Sequence, residues 1–94
     1  MEQNGDDINR AMMLDGNAVA GALQEVFSAE MTDAPTQCAN CGQKGMIGGL
    51  LAFVRAPGIV LRCPACEAVV IRIARAGRRT YVDTRGAVYV VMPA

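Results

Sequence analysis

A chain of 94 residues, 52% hydrophobic but only 4% aromatic and without Trp, is one small domain whose core must come from Val, Ile, Leu, Ala and Met. No apolar run approaches the roughly 18 residues that a membrane span needs, and Met1-Glu2-Gln3-Asn4-Gly5-Asp6-Asp7 is acidic where a secretory leader is basic. The expectation is a soluble, cytoplasmic protein with no membrane role, in a compartment that keeps thiols reduced. Zero net charge hides a split: residues 1–37 carry seven carboxylates against Arg10, and residues 38–94 carry Lys44 and seven arginines against Glu67 and Asp83.

Residues 1–13 read as a disordered acidic N-terminus, polar and lacking an apolar period. A helix is predicted over 14–31, with Asp15 as its N-cap accepting from free backbone amides. Val19, Ala22, Leu23, Val26 and Phe27 recur at helical spacing and form one apolar face, with Asn17, Gln24, Glu25 and Ser28 opposite. A helix of about four turns is marginal alone, so this stripe has to dock on the rest of the domain. Thr32-Asp33-Ala34-Pro35-Thr36 then reads as a linker into a β domain over 37–94.

In that domain Leu50 to Arg55 and Ile59 to Arg62 read as strands around a type II turn at Pro57-Gly58. Ala68 to Arg75 follows, with Val69, Ile71 and Ile73 expected on one face and Arg72 on the other. Two more strands, Arg79 to Thr84 and Ala87 to Met92, flank an Arg85-Gly86 turn. The expected architecture is α+β and mostly β: an N-terminal amphipathic helix packed on a small antiparallel sheet.

All four cysteines fall in two short hooks, Cys38-Ala39-Asn40-Cys41 and Cys63-Pro64-Ala65-Cys66, with 21 residues between them. A two-residue gap lets both sulfurs of a hook face one ion, and four thiolates so arranged suit a single tetrahedral metal. Cys38, Cys41, Cys63 and Cys66 are therefore the expected ligands of one structural Zn2+ in a zinc ribbon. Iron in the same cage and a dithiol couple are the alternatives. Gly42 supplies a left-handed corner after the first hook; Glu67 takes the same place after the second, with Arg62 as its expected charge partner.

Enzyme readings lack parts. The chain has no histidine, and four thiolates leave a metal no open position for water. Gly42, Gly45, Gly48 and Gly49 lack the order of a phosphate loop and read as ribbon turns. Asp83 and Arg85 read as a local ion pair. The expectation is a non-enzymatic module with no small-molecule substrate, acting on a protein partner through the sheet face or the Gly16-Asn17 end of the helix. The alternative is a nucleic-acid-binding ribbon that uses Arg72, Arg75, Arg78, Arg79 and Arg85 on the last hairpins.

From Leu14-Asp15-Gly16-Asn17, Ala20-Gly21, Glu25-Val26-Phe27, the two hooks and Tyr81-Val82-Asp83-Thr84-Arg85-Gly86, the chain resembles a family of small uncharacterised zinc-ribbon proteins, bacterial and common in actinobacteria. The resemblance covers about Leu14 to Pro93 and implies the fold and the zinc ligands without an activity. The ribbon also looks loosely like that of hydrogenase nickel metallochaperones. Their nickel site needs an N-terminal Met-His-Glu, whereas this chain has Met1-Glu2-Gln3.

Overall fold

The computed structural model describes residues 14–55 and 58–93; the side chain of Leu14 is not included. The acidic segment 1–13 and the turn residues Ala56 and Pro57 lie outside them, so the expectations of disorder and of a type II turn concern residues beyond the description. The chain folds as the order β1 (Leu14–Asp15), a 3-10 turn (Gly16–Val19), α1 (Ala20–Phe27), β2 (Pro35–Cys38), β3 (Lys44–Met46), a second 3-10 turn (Ile47–Gly49), β4 (Leu51–Arg55), β5 (Gly58–Arg62), β6 (Val69–Ala76), β7 (Arg79–Asp83) and β8 (Ala87–Val90).

Helical geometry is shorter than the 14–31 stretch that the apolar stripe predicts, for reasons local to each end. Leu14 and Asp15 pair with Ala52 and Leu51 as a two-residue strand, so the chain enters the helix from a sheet edge. Asp15 caps the 3-10 turn that leads into α1, its Oδ1 accepting from Ala18 N at 3.2 Å, and α1 itself has no side-chain cap. Ser28 turns left-handed at φ 56° and stops the helix there. The chain then runs through Met31, which is fully buried and which a helical reading places at the last turn instead of in the core.

Among the described residues, eight strands form two antiparallel sheets, one ordered β1-β4-β5-β6-β7 and one β3-β2-β8. On the first sheet Ala52, Ile59, Leu61, Ile71 and Ile73 are buried together with Val19 and Leu23 of the helical segment, so the amphipathic stripe docks where its periodicity requires. This is the α+β, mostly β architecture expected.

One strand departs from its simple alternation. Leu61 pairs with Ile71 but Arg62 pairs with Val69, which leaves Val70 as the extra residue of a bulge. The bulge turns Val70 into the core and leaves Val69 37% exposed, where strict period two places Val69 inside. It falls where β5 leaves the sheet for the second hook.

Candidate metal centre

Each hook closes the end of a strand in the same way. Cys38 ends β2 and Cys63 follows β5 directly. Cys38 N donates to Gln43 O at 2.9 Å and Cys63 N to Ala68 O at 2.9 Å. Gly42 N donates to Cys38 O at 2.9 Å, matched by Glu67 N to Cys63 O at 2.8 Å. The corner residues Gly42 and Glu67 both lie in the left-handed region, at φ 83° and 65°. Two hooks of unlike sequence thus share one backbone path.

That path gathers the four sulfurs. Their Sγ atoms all lie within 4.8 Å of one another, with Cys38 to Cys66 at 3.7 Å and Cys41 to Cys63 at 3.6 Å. A tetrahedron with metal–sulfur bonds of about 2.3 Å has edges of about 3.8 Å, so the donor set fits one ion. Each hook contributes one buried sulfur, Cys38 or Cys63, and one nearer the solvent, Cys41 or Cys66.

Backbone and side-chain donors aim at the sulfurs, as thiolates require. Ala65 N donates to Cys63 Sγ at 3.3 Å, and the Asn40 side-chain amide crosses between hooks to Cys66 Sγ at 3.4 Å. Without metal, the Asn40 amide and then the Ala68 amide hold the Cys66 thiol down to about 6. The Gln43 amide pulls the Cys41 thiol down, but desolvation and the hydrogen bonds among the sulfurs outweigh it and leave that thiol at about 11. A bound cation removes this difference, since a coordinated thiol is deprotonated outright.

Two supports were not visible in the cysteine spacing. Ala39 N donates to Gly86 O at 2.8 Å, which ties the first hook to the turn between β7 and β8. A side chain on Gly86 would run into the Val69 carbonyl, so that turn sits directly against β6. Arg62 corrects an expectation: its Nη1 donates to the backbone carbonyl of Glu67 at 2.9 Å, and the guanidinium lies 5.6 Å from the centre of the Phe53 ring. It braces the hook's backbone, leaving the Glu67 carboxylate in water.

The five arginines proposed for nucleic acid are not one surface. Arg72 projects from β6 away from the helix, and Arg75 projects from the same strand on the helix side, 3.6 Å from Glu25. Arg78 lies in the turn before β7 and Arg79 opens that strand. Arg85 grips the Asp83 carboxylate with contacts of 2.6 to 3.1 Å, the local pair expected. At the Gly16-Asn17 end of the helix, Gly16 is buried and a Cβ there would meet the Ile47 carbonyl, whereas Asn17 is exposed, with its Oδ1 2.6 Å from where a Cβ on Gly48 would sit.

Fold and site together define a small α+β protein of zinc-ribbon-like build, with four clustered cysteines able to hold one metal ion. The chain belongs to the family of unknown function DUF6510, which it matches over residues 8–94. No curated protein and no solved structure matches it. Among the described residues no helix is long and apolar enough to cross a membrane.

Proposed function

We propose that the chain is a non-enzymatic binding module of the cytoplasm, held together by one structural Zn2+ on Cys38, Cys41, Cys63 and Cys66. The carrying observation is the closed cluster of four sulfurs with tetrahedral spacing. Four thiolates fill the coordination sphere, so the ion has no position at which to bind water or substrate. Its role is then to hold the ends of β2 and β5 together. A chain without histidine lacks the commonest general base, which supports a binding role over a catalytic one. Reduced thiols of the cytoplasm suit such a cage.

Zinc is preferred to iron because the hooks carry no aromatic residue to shield a redox centre. The partner, protein or nucleic acid, then meets a surface that the staple holds in place. Gly16 is packed on the Ile47–Gly49 turn, which supports the sheet face away from the helix as the surface proposed for the partner.

Elemental analysis of protein purified without added metal checks this reading. It expects one zinc per chain and a colourless solution; stoichiometric iron with visible absorbance would move the protein to the redox alternative.

A further inference from the structure

The five-stranded sheet has a second face, and the strand register says who belongs to it. Phe53, Val60, Arg72 and Asp83 form one rung across β4 to β7, and Arg55, Gly58, Ala74 and Tyr81 form the next. Side chains on a rung share a face with those two residues along each strand, which adds Leu51, Arg62 and Arg79. None of these residues is buried, whereas Ala52, Ile59, Leu61, Ile71 and Ile73 at the alternate positions all are. The helix covers one face; on the other, Arg55, Arg72, Arg79 and Tyr81 are exposed and the rest are half-buried.

The composition of the open face is unusual for this chain. Two of its four aromatic residues are there: Tyr81, 55% exposed, and Phe53, half-buried with the Arg62 guanidinium over its ring. Four of its eight arginines are there as well: Arg55, Arg62, Arg72 and Arg79. The face holds one carboxylate, Asp83, and Arg85 already engages it. Strand spacing puts the two rings about 16 Å apart, diagonally across the sheet, with Arg72 on β6, one of the two strands between them.

Charge complementarity calls for a polyanion, and the rings decide which. An acidic peptide satisfies guanidinium groups but has no general use for two separated aromatic platforms. A single strand of nucleic acid carries phosphates for the arginines and bases whose faces stack on rings. We infer that this face binds single-stranded nucleic acid: Phe53 and Tyr81 stack with bases, Arg55, Arg72 and Arg79 pair with phosphates, and Arg62 buttresses the Phe53 ring. The inference deepens the binding-module reading and rests on it. It also replaces the hairpin set, because Arg75 belongs to the helix side and Arg85 serves Asp83.

The test uses Arg72 and Arg75, which lie on one strand with opposite faces and carry the same charge. Fluorescence anisotropy of the metal-loaded protein, with a labelled mixed-sequence RNA of about a dozen nucleotides, is read at low salt and across a salt series. Binding is expected to weaken as salt rises. Arg72→Ala and Tyr81→Ala should each cost about tenfold in affinity, Tyr81→Phe should keep most of it, and Arg75→Ala should cost less than about threefold. Equal losses at Arg72 and Arg75 would overturn the face assignment. Equal binding of polyglutamate, or no loss in Tyr81→Ala, would overturn base stacking. Absence of binding by a protein with full metal content and an intact circular dichroism spectrum would overturn the inference and leave the stapled-module reading standing.

Discussion

Gly42 and Glu67 occupy the same corner of the two hooks at the same left-handed backbone, yet only one of them is glycine. A side chain in that region costs about 1–2 kcal/mol through the clash of Cβ with the following carbonyl, partly offset by the unfolded-state freedom that glycine brings. Gly42→Ala should therefore destabilise the metal-loaded protein by about 1 kcal/mol, whereas Glu67→Gly should stabilise it by a smaller amount, both read from urea midpoints. Asp83 offers a second residue-scale test. Hydrogen bonds from the Arg85 side chain and then its backbone amide hold the Asp83 carboxyl at about 2, below its ordinary 3.8. The folded value is the depressed one, so the pair's contribution is complete above about pH 4 and is lost as pH falls toward 2. Carboxyl carbon NMR should find Asp83 titrating near the lower value, and Arg85→Ala should return it toward 3.8. Both the left-handed corner at Gly42 and the Asp83–Arg85 pair were legible in the sequence, because each is decided by residues within a few positions. The role of Arg62 was not, since its choice of a carbonyl over a carboxylate depends on how the second hook folds back on β5.

An eight-residue helix does not persist by itself, so α1 exists because Leu23 and its neighbours reach the sheet. Leu23 is fully buried, and Leu23→Ala should cost about 2–5 kcal/mol in denaturant unfolding through lost transfer energy and a residual cavity. Gln24→Ala, on the exposed side of the same turn, should change stability by less than about 0.5 kcal/mol. The apolar period found the helix and its buried side correctly because that period is a local property. It overran both ends. A two-residue pairing to β4 claims Leu14 and Asp15, and the left-handed Ser28 releases the chain toward Met31. The Val70 bulge belongs to the same class of surprise: a run of Val and Ile carries no mark of which residue is the extra one, and the pairing of β5 with β6 makes that choice.

Across the whole molecule, the two hooks join the ends of strands from different sheets, β2 of the three-stranded sheet and β5 of the five-stranded one. If the metal holds that junction, its binding free energy is folding free energy, on the order of 10 kcal/mol for small sites of this kind. A strong chelator at neutral pH should then collapse the β-sheet circular dichroism signal and the near-ultraviolet signal together, with recovery on adding back zinc. Acid should act in the same direction, because protons compete with the metal for the thiolates and stability falls as pH falls. Retention of both signals after complete metal removal would show that the two sheets hold each other without the ion. Among the described residues, the Glu25–Arg75 contact joins the acidic and basic halves of the chain; it is exposed on both sides and contributes little.

The sequence by itself determined the four candidate ligands, the left-handed corner at Gly42, the amphipathic helix and the run of strands. Each of these depends on residue chemistry and spacing over a few positions, where local geometry leaves little choice. Tertiary structure alone decided that Asn40 and the Gly86 carbonyl support the hooks, that Gly16 is spent against Ile47, and that the face carrying Arg75 is the one that meets Glu25 of the helix. Those outcomes follow from strand register and sheet order, which join residues as far apart as Ala39 and Gly86, and no local pattern encodes such pairings.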